Sequence, residues 1–200
     1  MTRKSEGSGD AFGAAYYRRF YGRSPVHTPA TVANLAAAVM HLSAWWGVRI
    51  RSVLDVGAGP GYWRDWFAAE HPRIRYRSVD VSAYACERFG HEQRDITVWS
   101  AASPSDLVVC QGVLQYLDRD GVGAAVANLA RSTGSLLYLE VPTLHDREHV
   151  VDVSATDLEC FWRSGNWYRT RLNEHFVQVG AGLWARRDAG IPFYELERSR

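Results

Sequence analysis

The sequence predicts an α/β three-layer sandwich: a mostly parallel sheet of about seven strands, helices on both faces, and an antiparallel hairpin at the C-terminal edge. Three observations predict it. From residue 52 onward short apolar runs alternate with stretches of helical period, which implies right-handed crossovers and strands buried on both faces. The first apolar run ends in Gly57, Gly59 and Gly61, the punctuation of a tight strand-to-helix turn. The last extended stretches are joined by too few residues for a parallel crossover, which needs roughly a dozen or more.

Composition bounds the rest. The 200 residues are 46% hydrophobic and 22% charged, the balance of one globular domain with one core. A chain of this size buries roughly 70% of its unfolded surface and needs no disulfide or structural metal. Cys86, Cys110 and Cys160 are odd in number and far apart, which excludes a disulfide framework and a zinc ribbon and makes a reducing, cytoplasmic setting the expectation. No apolar segment follows the basic start MTRKSEGSGD, and no apolar run reaches roughly 18 residues, so neither secretion nor membrane insertion is expected. The net charge is +1 and the pI about 7.8. Phosphate-tracking surfaces have a pI above about 9, so no nucleic-acid partner is expected. Charge is nonetheless uneven: residues 1–51 carry seven Lys/Arg against two acids, and residues 52–200 sixteen against twenty.

Residues 1–9 read as a disordered tail and 10–200 as a single domain. Within it, 10–51 form a helical N-terminal cover, 52–141 the ligand-binding core, 142–165 a lid or substrate loop, and 166–200 a C-terminal helix and hairpin. Residues 11–21, rich in aromatics and arginines, predict a helix. A second, over 31–46, repeats apolar residues at helical spacing behind the start signal Thr28-Pro29. Ser52–Val56 reads as a buried strand. A helix over 63–70, a strand over 75–81, a helix over Ala83–Phe89 and a weaker strand over 96–99 follow. Next come a strand over 106–110, a helix over 121–130 and a strand over 135–141. Beyond the loop a helix over 168–174 precedes extended stretches at 176–179, 182–186 and 193–197. The last two, joined through Asp188-Ala189-Gly190, predict the edge hairpin.

The most informative stretch is V-L-D-V-G-A-G-P-G-Y-W, residues 53–63. Its glycines let a ligand reach bare backbone, and the amides opening the next helix place about half a positive charge there, suited to an anionic or hydroxyl-rich group. The dinucleotide fingerprint would put its last glycine or alanine at Tyr62, which is too bulky, and the Gly-Lys-Ser/Thr of a P-loop is absent. The order G-x-G-x-G, with Asp55 two residues ahead of Gly57, instead resembles the first motif of the class I S-adenosylmethionine-dependent methyltransferases, which are Rossmann-like.

The resemblance covers most of the chain in the correct order. Asp80, in S-V-D-V-S, closes the next apolar strand nineteen residues after Gly61. An acid there can accept both ribose hydroxyls; the resemblance implies that role, with Val81 beside it, although an Asp at a helix start also caps. Arg94-Asp95-Ile96-Thr97 resembles the third-strand turn, which implies that Asp95 and Ile96 hold adenine. Residues 106–117, D-L-V-V-C-Q-G-V-L-Q-Y-L, resemble the fourth strand and its exit loop, which implies that Cys110 and Gln111 line the methionine portion. Gly57, Ala58, Gly59 and Gly61 complete the implied S-adenosylmethionine site. Tyr17 and Tyr21, with Tyr16, fall in an N-terminal helix that folds over the cofactor in similar enzymes.

A sulfonium methyl is already activated, so positioning can supply about 7–11 kcal/mol of the acceleration. A hydroxyl acceptor still gains from a base. His145, just past the fifth strand at the carboxyl end of the sheet, is the candidate catalytic base. Phe161, Trp162, Trp167 and Tyr168 are candidates for an apolar acceptor wall. A rival pattern, H-x-x-E-H at residues 145–149, would put His145 and His149 on one helix face with Glu148, as in a zinc protease, but no third ligand is identified. The expected acceptor is a small molecule. A protein side chain as acceptor, and a cofactor-binding partner without catalysis, stay open, as does the oligomeric state; no metal is expected.

Overall fold

A computed structural model describes residues 10–23 and 25–199; the expected tail over 1–9 lies outside the described residues. A 3₁₀ turn, Asp10–Phe12, and two helices, α1 (Ala14–Phe20) and α2 (Pro29–Trp45), precede the first strand. The core then runs β1 (Ser52–Val56), α3 (Tyr62–Glu70), β2 (Arg75–Asp80), α4 (Ala83–Phe89), β3 (Glu92–Gln93), β4 (Ser105–Gln111), a 3₁₀ turn Leu114–Tyr116, α5 (Arg119–Ser132) and β5 (Thr133–Glu140). The remainder is α6 (Leu144–His149), α7 (Gly165–Leu172), β6 (Phe176–Gly180) and β7 (Leu183–Arg186).

The seven strands form one sheet in the order β3-β2-β1-β4-β5-β7-β6. β1 to β5 pair parallel, and β7 runs antiparallel between β5 and β6. The chain winds outward from β1 to β3 and then returns to place β4 on the other side of β1. That reversal leaves a crevice at the carboxyl ends of β1 and β4, where ligands of open α/β sheets bind.

Strand alternation splits the core into two layers. Val53, Leu107 and Leu136 are in register across β1, β4 and β5 and pack with Val32, Ala36 and Val39 of α2 and Trp63 and Phe67 of α3. Their neighbours Leu54, Val108 and Leu137 point the other way, into Val122, Val126 and Leu129 of α5 and Leu172 of α7. Burying each such side chain contributes about 1.5–3 kcal/mol. Thr28 opens α2 as expected: its hydroxyl accepts from the Thr31 amide, the Thr31 hydroxyl accepts from the Thr28 amide, and Pro29 fills the first turn.

Several expectations need correction. The outer strand is Glu92–Gln93, not 96–99. Asp95 Oδ1 accepts from the Thr97 amide (2.8 Å) and hydroxyl (2.7 Å), closing a turn that competes with extension. Ile96 is drawn into the core instead, with its carbonyl taken by Asn128 Nδ2 at 2.7 Å. The edge hairpin is β6–β7 around Gly180-Ala181-Gly182, all at positive φ, and not 182–186 with 193–197. Residues Glu195–Glu197 form a 3₁₀ turn: Glu197 Oε1 accepts from the indoles of Trp45 (2.9 Å) and Trp46 (3.1 Å), which holds this segment on α2. The loop over 142–165 contains the helix α6, and α7 starts at Gly165 where the helix was expected over 168–174.

Candidate active site

The turn after β1 is built so that only glycine fits its first position. Gly57 has φ +71°, and a Cβ there would lie 2.3 Å from Val113 Cγ2. Two buried side chains hold the turn from behind. Asp80 Oδ2 accepts from the Gly59 amide at 2.9 Å while Oδ1 accepts from the Ser82 amide at 2.8 Å. His91 Nε2 bonds the Gly59 carbonyl at 2.9 Å and Nδ1 bonds Ser78 Oγ at 2.8 Å. A carbonyl only accepts, so Nε2 carries the proton and Nδ1 accepts from the serine. Burial lowers the His91 pKa and favours this neutral form. Burial likewise raises Asp80, partly offset by its backbone bonds. Asp55, buried at the end of β1, accepts from the Tyr76 hydroxyl at 2.7 Å, and desolvation pushes its carboxyl up to about 7.

The crevice opens into a cleft of about 1500 Å³. A single small-ligand pocket occupies about 300–1,000 Å³, so this one has room for two molecules. Its floor is a chain of hydrogen bonds across the carboxyl ends of β4 and β5. Trp63 Nε1 donates to Gln111 Oε1 (2.8 Å), and Gln111 Nε2 donates to Glu140 Oε2 (3.1 Å). The Tyr138 hydroxyl donates to the same oxygen (3.3 Å), and His27 Nε2 meets Glu140 Oε1 at 2.8 Å. The bond to Glu140 outweighs burial and raises the His27 pKa. Burial raises Glu140, but the bonds from His27, Gln111 and Tyr138 outweigh it and leave its pKa lowered. The two shifts agree: each partner favours the charged form of the other.

An aromatic cover sits over the β2 side of the crevice. The Phe12 carbonyl accepts from Ser82 Oγ at 2.7 Å, and the Phe12 ring meets Tyr116 edge-on at 4.9 Å. The hydroxyls of Tyr16 and Tyr116 are 2.9 Å apart, and burial raises Tyr16 to about 12. Tyr17 stacks on Tyr21 at 5.3 Å and packs against Tyr84 and Phe89 of α4. Residues 12–21 thus join α4 to the exit of β4.

Of the residues singled out from the sequence, Asp55, Gly57, Ala58, Gly59, Gln111, Tyr16 and Tyr21 line the cleft. The others stand behind its wall. Gly61 caps α3 at φ +84°. Asp80 is 6% exposed behind Gly59, and Val81 follows it, half-buried. Asp95 closes its turn, Ile96 and Cys110 are core residues, and Tyr17 is buried in the aromatic stack. Desolvation raises the Cys110 thiol.

His145 is not brought to the floor. Thr143 caps α6 so that Asp146 and Val150, one turn apart, border the cleft, while His145 is exposed and its ring stacks on His149 at 4.3 Å. Among the described residues no group of three or more His, Cys, Asp and Glu side chains is placed to hold a metal, and Glu148 is exposed. Phe161, Trp162 and Trp167 lie outside the cleft wall under arginines, Arg171 standing 3.5 Å over Trp167, and Tyr168 is a core residue. His27 and His91 carry no motif. His27 is adjacent to the start signal of α2, but its partner lies 113 residues away.

No protein-family model matches the chain, and no curated protein sequence matches it. Solved structures do. An O-methyltransferase family protein from Burkholderia thailandensis superposes with a TM-score of 0.58 at 14% identity, over 81% of this chain and 59% of that one. Magnesium protoporphyrin IX methyltransferase from Synechocystis PCC 6803, solved with bound S-adenosylmethionine, superposes with a TM-score of 0.55 at 16% identity, over 93% and 97%. A S-adenosylmethionine-dependent methyltransferase from Archaeoglobus fulgidus gives 0.54 at 15% identity, over 82% and 76%. The chain therefore has the fold of these methyltransferases, while spanning less than two thirds of the Burkholderia protein. Among the described residues no helix is long and apolar enough to cross a membrane.

Proposed function

We propose that the chain is a class I methyltransferase that moves the methyl group of S-adenosylmethionine to an oxygen or nitrogen of a small-molecule acceptor. The observation that carries this reading is that the glycine turn after β1 and the His27–Glu140 pair at the end of β5 border one cleft. The residues present fit the donor. The turn from Gly57 to Gly59 borders the cleft with backbone and a single methyl group, a Cβ at Gly57 would collide with Val113, and Asp80 stands one hydrogen bond behind Gly59. The Gly59 and Ser82 amides hold the Asp80 carboxylate at the foot of the turn, and the carboxylate keeps acceptor capacity for a sugar hydroxyl. When bound, S-adenosylmethionine supplies a methyl group already activated on a sulfonium.

The chain's own work is then to hold, desolvate and deprotonate. His27 Nε2 is committed to Glu140, which leaves the Nδ1 lone pair to take a proton from an acceptor hydroxyl or ammonium. Glu140 steadies the imidazolium that results. The gap between their pKa directions keeps the carboxylate charged while the imidazole titrates.

Calorimetry with S-adenosylhomocysteine tests the donor site, and formation of that product from S-adenosylmethionine with a panel of phenols and amines tests the reaction. Micromolar binding with turnover is expected. No binding at millimolar concentration would refute the proposal, and binding without turnover on any acceptor would leave only a cofactor-binding protein.

A further inference from the structure

Gln115 follows the exit of β4, lines the cleft and is 7% exposed. Among the described residues its Oε1 is the one buried side-chain nitrogen or oxygen with no hydrogen-bond partner. Leaving such an acceptor unpaired forfeits the hydration it lost on burial, and native interiors rarely do so. An amide oxygen only accepts, so the missing partner is an N–H or O–H group; a carboxylate or phosphate head would be repelled.

The rim of the cleft has the opposite character. Val26, between α1 and α2, is 51% exposed, and Val150, after α6, is 74% exposed; both border the cleft. Among the described residues, five of the ten large exposed apolar side chains lie between Leu144 and Phe161, in the segment from which Val150 reaches the cleft. Scattered surface apolar residues need no explanation, but an exposed apolar segment that runs up to a cleft marks a binding surface. This segment is also tied to the residue that carries the buried acceptor, since the Phe161 amide donates to the backbone carbonyl of Gln115 at 2.8 Å.

Resting on the methyltransferase reading, we infer that the acceptor is amphipathic: a head bearing an N–H or O–H sits on Gln115 Oε1, and an apolar body lies against Val26 and Val150 at the rim. The cleft's volume beyond one small-ligand pocket accommodates that body beside the donor.

Titration of S-adenosylhomocysteine alone comes first, and its failure counts against the function, not against this inference. Protein saturated with it is then titrated with 4-alkylphenols from methyl to octyl. Affinity rises about fourfold per methylene until the chain clears the rim, and Val150→Asp flattens that slope. The matching 4-alkylanisoles, which lack the phenolic proton, bind at least about tenfold more weakly to the wild type. Gln115→Leu removes this preference while leaving S-adenosylhomocysteine affinity and the thermal midpoint no lower than in the wild type. A flat chain-length series, no phenol binding up to the solubility limit, or a phenol preference that survives Gln115→Leu overturns the inference.

Discussion

The buried carboxyl of Asp55 has a folded-state pKa of about 7 against an ordinary 3.8. Between those values the unfolded chain has released a proton that the folded chain keeps, so stability falls as pH rises from about 4 to 7 and levels above it. Asp55→Asn retains an oxygen for the Tyr76 hydroxyl and removes the titration. Its thermal midpoint relative to wild type therefore rises across that window, and a constant offset would show that Asp55 does not titrate there. The His27 pKa is raised as well, so the base is formed only above its ordinary 6.5, and kcat follows a rising limb above that pH. Glu140→Gln shifts the limb to lower pH, and His27→Asn abolishes it; identical profiles in all three would remove His27 from proton transfer. Asp80→Asn exchanges one acceptor oxygen for a donor amide facing a backbone N–H and weakens S-adenosylhomocysteine by about 1.5–3 kcal/mol in calorimetry; equal affinity would place the ribose elsewhere. The glycine turn and Asp80 were legible in sequence because they depend on local backbone freedom and position after a strand. His27 and His91 were not, since their roles arise from side chains that only folding brings near.

At the scale of elements, local pattern succeeded where one period dominated and failed where tertiary contact chose between two readings. The strand at residue 52, the flanking helices and the α2 cap follow from apolar runs and a Thr-Pro start. The stretch at 96–99 has strand composition, yet the Asp95 turn and the pull of Ile96 into the core win. Asp-Ala-Gly is good turn chemistry and predicts the C-terminal turn at Gly190, whereas the chain reverses at Gly182. The two glycines separate these readings. A Cβ at Gly182 would lie 2.8 Å from the Tyr138 ring and 3.1 Å from the Leu139 carbonyl, while one at Gly190 meets nothing within 4 Å. Both have positive φ, so Gly190→Ala carries only the left-handed penalty of roughly 1–2 kcal/mol. Gly182→Ala adds steric repair of about 1–3 kcal/mol. Denaturant unfolding should rank Gly182→Ala as clearly less stable; equal losses would argue against the β6–β7 reversal.

For the whole molecule, the sheet order makes the candidate site a meeting point of distant segments: the glycine turn from β1, Asp80 from β2, Gln111 from β4 and Gln115 after it, Glu140 from β5 and His27 from the N-terminal cover. The cover is fastened to the sheet through Phe12–Ser82, Tyr16–Tyr116 and His27–Glu140, so a ligand beneath it engages both parts at once. Ligand that binds only the folded state stabilises it by about 2.7 kcal/mol at one hundred times Kd. For a chain of this size each kcal/mol moves the midpoint by roughly 2–4 °C, so saturating S-adenosylhomocysteine should raise it by about 5–10 °C. Tyr16→Phe, which removes one fastening without touching the glycine turn or Asp80, should lower the unliganded midpoint and reduce affinity together, because the donor would then have to order a looser cover. A midpoint unmoved by millimolar S-adenosylhomocysteine would contradict the site. A shift unaltered by Tyr16→Phe, with the unliganded protein destabilised, would mean that the cover packs on the sheet independently of what the cleft holds.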